Sequence, residues 1–352
     1  MMQQLETSFP GSSEGYEKFM KTESVRFDRM YPCLQKDYSS YKKFLSFDLL
    51  KALPKLSLGR SLIGVLGDYF KSEKLKLSFT FQSKYLGMSA WDCPGAFGIL
   101  PYVEHAYGVY HVTGGLSEIS QGMAKVCEEH GVDIRLSSPV KQLTLDGRNV
   151  TGVELEDGEK VYADETVLNA DFGYAMKNLV PPGVLKRYTP EKVDSKEYSC
   201  STFMLYLGVD KIYDLPHHTI FFAGDYKKNI EDVFKNKVLS EDISVYVRNA
   251  SINDPTLAPE GHSALYVLVP VPNCTADIDW LENTDEFKER VISAIEKRAE
   301  MSDIREHIRE EIVYTPKTWM DTNIQFGATF NLAHSLNQMM HLRPRNKFED
   351  LG

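Results

Sequence analysis

The sequence is short of most features that place a protein at sight. Its 352 residues include five cysteines, Cys33, Cys93, Cys127, Cys200 and Cys274, far apart and without a C-x-x-C pair. That spacing excludes a zinc ribbon or a dithiol motif, and an odd count of scattered thiols points to reduced cysteines in a cytosolic compartment. No metal site is expected. No run approaches the roughly 20 apolar residues of a membrane-spanning helix, and no basic-then-apolar leader opens the chain. Positive charge is in deficit, with a formal net charge of −10, so a nucleic-acid partner, which needs clustered Lys and Arg, is not expected. Repeats and low-complexity tracts are absent, and no G-x-G-x-x-G occurs anywhere. What is present is the composition of a folded globular protein, 42% hydrophobic and 26% charged, with length enough for two domains.

The pattern changes along the chain. Residues 1 to about 107 read as mostly helical. The stretch from Tyr41 to Phe70 interleaves Phe44, Leu45, Leu49, Leu50, Leu62, Ile63 and Leu66 with Lys42, Lys43, Lys51 and Lys55. Such spacing suits an interfacial helix lying among lipid headgroups, or a core-facing helix pair broken at Pro54 with its lysines in water. From 108 to 175 the elements are short and compact. Gly114 and Gly115 enter a helix over about 115–130, whose apolar positions are Leu116, Ile119, Met123 and Val126 and whose end is marked by Gly131. Val132, Ile134 and Leu136 then alternate as a strand, Val140, Leu143 and Leu145 begin the next, and Asp157-Gly158 sits between two alternating runs as a hairpin turn. Further strands are expected in "CSTFMLYLGV", "HTIFFAG", "ISVYVRNAS" and "HSALYVLVPVP". A helix is expected over 284–301, with Thr284 as its N-cap and an apolar face of Phe287, Val291, Ile292 and Ile295.

Four stretches in register, "GVYHVTGGLSEISQGMAKVCEEHGVDIRLSSPVKQL", "VLNADFGYA", "DPTLAPEGHSALYVLVPVPN" and "TNIQFGATFNLAHSLNQMMHLRPRNKFEDLG", resemble the FAD-dependent carotenoid desaturases, the phytoene and dehydrosqualene desaturases and their relatives. The resemblance implies a mixed α/β fold. It would combine part of an FAD-binding domain of the flavin amine oxidase/desaturase type, residues 108–175 and 320–352, with a substrate-binding and membrane-docking domain of antiparallel sheet and helices, residues 1–107 and 176–319. Members of that family open with a strand–G-x-G-x-x-G–helix unit and close with a glycine-rich segment. Neither is found here, so the expectation is an internal part of a desaturase, with weak FAD affinity, no turnover by itself and an apolar edge prone to self-association.

The resemblance also implies roles. Val140 would contact the adenine side of FAD, or is an ordinary strand valine; Asn169, Ala170 and Asp171 would lie beside the cofactor, or form a turn that bonds its own backbone. Gly114, Gly115, Glu118, Gly327 and Phe330 would face the substrate, although Glu118 equally suits a first-turn carboxylate favoured by the helix dipole. The implied reaction is desaturation of a linear C30 or C40 isoprenoid such as phytoene, taken from a membrane surface docked through about 41–70. An isomerase, a retinol saturase-type flavoprotein or a non-enzymatic isoprenoid binder remain alternatives. No catalytic residue is assigned, and His105, His111 and His334 read as packed or surface histidines. The aromatic content of 11% suits an apolar tunnel as well as ordinary packing.

Overall fold

The computed structural model describes residues 1–36, 46–339, 342–345 and 351, without the side chains of residues 85, 86 and 336. Two compact units divide the chain: Met1–Tyr110 with Leu332–Lys347, and His111–Asn331 with Phe348–Gly352. This division is drawn by packing and does not bear on whether 108–175 and 320–352 hold a cofactor.

The first unit is helical. Its helices are α1 (Met2–Ser8), α2 (Ser13–Leu34), α3 (Phe47–Ala52), α4 (Leu62–Leu66), α5 (Glu73–Ser78) and α6 (Ile99–Tyr107). Ser46, Ser61 and Ser72 each accept a backbone N–H at the start of α3, α4 and α5, which satisfies donors that a helix start leaves unpaired. The core gathers on Phe19, fully buried, with Tyr69 and Phe79 edge-on at 5.5 and 5.3 Å. The two readings of 41–70 are thereby separated in part. Leu49, Leu62, Leu66 and Phe70 are buried core residues, so Leu62 and Leu66 cannot serve as a membrane-facing stripe. Phe47, Leu50, Leu53 and Leu58 stay exposed, and residues 41–45 lie outside the described residues.

The second unit carries two sheets. A meander of β1 (Val140–Asp146), β2 (Asn149–Leu155) and β3 (Lys160–Tyr162) is antiparallel throughout. Its β2–β3 turn is the expected Asp157-Gly158, with Gly158 at φ +91°. Before it lies α7 (Ser117–Glu129), within the expected range. The strand expected at 132–136 does not form. Val132, Ile134 and Leu136 are 52%, 40% and 83% exposed, because among the described residues no neighbouring strand takes up their backbone hydrogen bonds, and alternation cannot make a strand without a partner. Leu116, Ile119, Met123 and Val126 on α7 are likewise exposed.

The larger sheet has the order β5-β6-β7-β4-β8, all neighbours antiparallel, from β4 (Ser201–Val209), β5 (His218–Phe221), β6 (Val245–Asn249), β7 (Ser263–Val271) and β8 (Ile308–Tyr314). Four of these lie in stretches where strands were expected; β8, "IREEIVY", does not. Against one face packs α8 (Trp280–Arg298), through Phe287, Val291, Ile292 and Ile295 as expected. Its N-cap is Asp279, whose carboxylate accepts from Leu281 N and Glu282 N; Thr284 lies inside the helix and turns its hydroxyl to the Trp280 carbonyl. A carboxylate takes two orphan N–H groups where the threonine, five residues on, would leave the first turn unsupported.

Candidate functional site: an aromatic sheet face

Alternation along a strand sends successive side chains to opposite faces, and in the large sheet this separates two chemistries. One face is aliphatic core: Phe203, Leu205, Val247, Leu265 and Val267 are at most 2% exposed. On the other, the cross-strand register assembles two rows. The first runs His218, Arg248, Tyr266, Tyr206, Ile312 and the second Ile220, Tyr246, Leu268, Met204, Tyr314. The rings form a continuous ladder. His111 meets His217 at 5.1 Å, His217 stacks on His218 at 4.4 Å, and His218 lies over Tyr246 at 6.0 Å. From Tyr246 the ladder passes to Tyr266 (6.1 Å), Tyr206 (5.4 Å), Tyr314 (5.8 Å) and Trp319 (4.7 Å). Trp319 stands on α9 (Pro316–Asp321), held by its indole N–H to the Thr202 carbonyl at 3.0 Å. Burial pushes the Tyr266 hydroxyl up to about 12, the neighbouring Tyr206 and Tyr246 adding to it, and raises Tyr206. These phenols stay neutral near pH 7, and the face offers rings and hydroxyls without formal charge along most of its length.

At the β5–β6 end the ladder meets the glycine-pair turn. Gly114 and Gly115 have φ +84° and +97°, a conformation costly for a residue with Cβ. What the turn holds is Asp254: its Oδ2 accepts from Gly114 N at 2.8 Å and pairs with His111 Nε2 at 2.7 Å, while Oδ1 accepts from Thr256 N and Oγ1. These donors, Thr256 and His111 foremost, hold the Asp254 carboxyl well below the usual range. Glu118 is exposed and folds back over Gly114, where an added Cβ would lie 2.9 Å from its Cγ. At the opposite side, the segment that follows α9 bends sharply, with positive φ at Asn323, Phe326, Gly327 and Asn331. A Cβ on Gly327 would lie 2.1 Å from the Pro316 carbonyl oxygen. The segment is tied to the start of β4 by Ser201 Oγ to the Gly327 carbonyl (2.5 Å) and Phe330 N to Ser199 Oγ (3.1 Å). Of the residues expected to face substrate, Gly114 is thus bonded to Asp254 at one end of the aromatic face, Gly115 bonds within its own turn, and Gly327 and Phe330 are bonded to the beginning of β4.

The residues expected beside FAD form a separate group. Val140 of β1 packs on the same apolar cluster as Leu168 and Phe172, which flank Asn169, Ala170 and Asp171. Asn169 and Ala170 are exposed. Asp171 Oδ1 accepts from Tyr174 N and Gln325 N at 2.8 and 3.3 Å, which is turn chemistry, but its Oδ2 is buried with no partner among the described residues. A buried acceptor without a donor is costly, and a sugar-type hydroxyl would satisfy it. Of the four, Asp171 alone presents a buried oxygen that a cofactor hydroxyl would satisfy. They supply no cation and no run of amides for its pyrophosphate.

The sequence reading left the aromatic face unassigned. Tyr206, Tyr246 and Tyr266 each fall between aliphatic residues at period two, which is the signal that could have found them, but only the strand order sets them beside one another and Tyr314. His111 was read as a packed or surface histidine, and Asp254 and Arg248 carried no local signal.

The family described as flavin containing amine oxidoreductase matches residues 13–348. The chain is 52% identical, over 100% of its length and 69% of the relative's, to 4,4'-diapophytoene desaturase (4,4'-diapolycopene-forming) of Methylomonas sp. It is 38% identical, over 81% of its length and 55% of the relative's, to all-trans-zeta-carotene desaturase of Myxococcus xanthus. Among solved structures, an oxidoreductase from Methanosarcina mazei matches 92% of this chain and 68% of its own with a TM-score of 0.54 at 18% identity, a likeness of fold.

Proposed function

This chain belongs to the flavin-containing amine oxidoreductase family and, within it, to the carotenoid desaturases, and from that membership we propose that it takes part in the desaturation of a linear C30 or C40 isoprenoid, held along the aromatic face of the five-stranded sheet. The observation that carries the reading is the unbroken ladder of rings from His111 to Trp319 on the face of the sheet opposite α8. A long hydrocarbon offers no hydrogen-bonding groups, so only extended apolar and aromatic surface can bind it, and the ladder supplies that surface in one direction. FAD, when bound, supplies the two-electron acceptor that desaturation requires. The chain's own part is to bind and align: the tyrosines fix the polyene laterally, and the Asp254–Gly114 bond holds the glycine-pair turn at the end of the face. Val140, Asn169, Ala170 and Asp171 would hold the adenine and hydroxyl side of the cofactor.

The test is to supply the chain with FAD and with the family's G-x-G-x-x-G segment as a separate polypeptide, add a C30 or C40 substrate, and follow the long-wavelength absorbance of newly conjugated double bonds. Growth of that absorbance, lost in a Tyr206→Leu, Tyr266→Leu double variant, supports the reading. Flavin that stays oxidised and a flat spectrum overturn it.

We further propose that the substrate is drawn from a lipid surface through Phe47, Leu50, Leu53 and Leu58. They are 70%, 53%, 39% and 70% exposed, with Lys51 and Lys55 among them, the pairing of apolar side chains and cations that suits an anionic bilayer interface. No helix among the described residues is long and apolar enough to cross a membrane. Changing Phe47, Leu50 and Leu58 to Ser should abolish flotation with anionic liposomes while leaving the melting temperature in place; unchanged flotation overturns the docking patch.

A further inference from the structure

Arg248 differs from the other arginines of the large sheet region in what it is bonded to. Among the described residues it makes no ion pair. Its Nε reaches His217 Nε2 and its Nη2 reaches His111 Nδ1, both at 3.3 Å. Because Nδ1 of His111 accepts from a guanidinium, its proton resides on Nε2, where it is donated to Asp254. Asp254 in turn already accepts from His111, Gly114 N, Thr256 N and Thr256 Oγ1, so this carboxylate has no oxygen to spare for Arg248. The guanidinium keeps its charge at any working pH and is half-buried with only imidazoles as acceptors. A cation so placed lacks the oxygen partner that normally accompanies it. Its position is fixed by register: it lies in one row with Tyr266 and Tyr206, and His218 is its neighbour on the other side.

We infer that the β5–β6 end of the aromatic face is a subsite for an oxygen-bearing terminus, carboxylate or carbonyl, of a linear isoprenoid, with Arg248 as the donor. This rests on the reading that the face holds the polyene. An apolar chain lying on Tyr266, Tyr206 and Tyr314 brings its end to the guanidinium, and a hydrocarbon end leaves that charge without an acceptor while an oxidised end satisfies it. The face therefore discriminates in favour of chains oxidised at the terminal carbon, which makes the site one that accepts or retains oxygenated isoprenoids as well as hydrocarbons. The donor is charge-assisted and planar, suited to both oxygens of a carboxylate.

The experiment measures equilibrium binding to the full chain, by quenching of tryptophan fluorescence, of two linear C30 polyenes that differ only in ending in a carboxylate or in a methyl group. The wild type should bind the carboxylate about tenfold or more tightly than the hydrocarbon, the scale of one charge-assisted hydrogen bond. Arg248→Met should erase the preference, read as the ratio of the two affinities within each variant, and Arg248→Lys, which keeps the charge, should retain part of it. A preference that is equal in the wild type and Arg248→Met, or absent in the wild type, overturns the inference. The underlying reading falls separately, if hydrocarbon binding is indifferent to Tyr206→Leu and Tyr266→Leu. Should Arg248→Met fail to fold, a preference smaller in the folded Arg248→Lys than in the wild type counts for the inference and an undiminished one against it.

Discussion

The two faces of the five-stranded sheet are built from the same strands, one residue apart, and they obey different demands. On the α8 side, Phe203, Leu205, Leu207, Val247 and Val267 are at most 2% exposed and touch one another and the helix. Close packing there fixes volume and shape, and any apolar residue of the right size would serve. On the other side, Tyr206, Tyr246, Tyr266, Tyr314 and Arg248 are only half-buried. Folding does not require hydroxyls and a guanidinium at those half-buried positions, which other side chains of similar size would fill. The difference teaches where stability ends as an explanation: one face is selected by packing, the other presents a chemistry that packing does not call for.

Exchanging stability effects across the sheet gives the largest contrast. Phe203→Ala should cost about 3–5 kcal/mol in denaturant unfolding, since it opens a cavity against Trp280 and Phe287. Tyr266→Leu should cost about 1 kcal/mol, the worth of its ring contacts. Equal losses would abolish the distinction between the faces. Ligand binding should show the reverse order: Tyr206→Leu with Tyr266→Leu weakens affinity for a linear polyene about tenfold, or ~1.4 kcal/mol, whereas Val267→Ala on the core face leaves it unchanged, as titrated by fluorescence quenching.

The smallest effect concerns two carboxylates that are both shielded from water yet shifted in opposite directions. Glu23 in α2 is fully buried beside Arg26, at 2.8 Å, and burial outweighs the guanidinium to push its carboxyl from 4.5 to about 7. A carboxyl raised on folding favours the folded state while protonated, so that contribution is lost as pH rises from about 4.5 to about 7. Asp254 is lowered by Thr256 and His111; its contribution is present above the unfolded value of about 3.9 and is lost as pH falls below it. Melting temperatures across pH should show Glu23→Gln removing the neutral-side slope and Asp254→Asn the acid-side one. A single variant altering both slopes would mean that the two sites are not independent.

Much of the fold could be read from local pattern. Runs rich in β-branched and aromatic residues located β4 to β7, Asp157-Gly158 located the meander turn, and the spacing of Phe287, Val291, Ile292 and Ile295 located the buried side of α8. Where reading failed, the missing quantity was a partner. Val132, Ile134 and Leu136 alternate without a strand to pair with, and "IREEIVY" becomes β8 because β4 lies beside it, its charged positions notwithstanding. The site was less legible than the fold. Motif resemblance brought Gly114, Gly115, Gly327 and Phe330 into view, but not the tyrosine face between them.

The sequence by itself determined the elements whose cause is short-range: a period of two or 3.6, a glycine at positive φ, a cap at a helix start, all set by sterics and hydrogen bonds within a few residues. The tertiary structure decided the rest. His111 and Asp254 are 143 residues apart, and Met204 meets Tyr314 only through the pairing of β4 with β8. Strand register is a cooperative choice, settled by burying one whole face of aliphatic side chains at once. The opposite face, with its ladder of rings and a guanidinium bonded to two imidazoles, is aligned by that choice and by nothing local to itself.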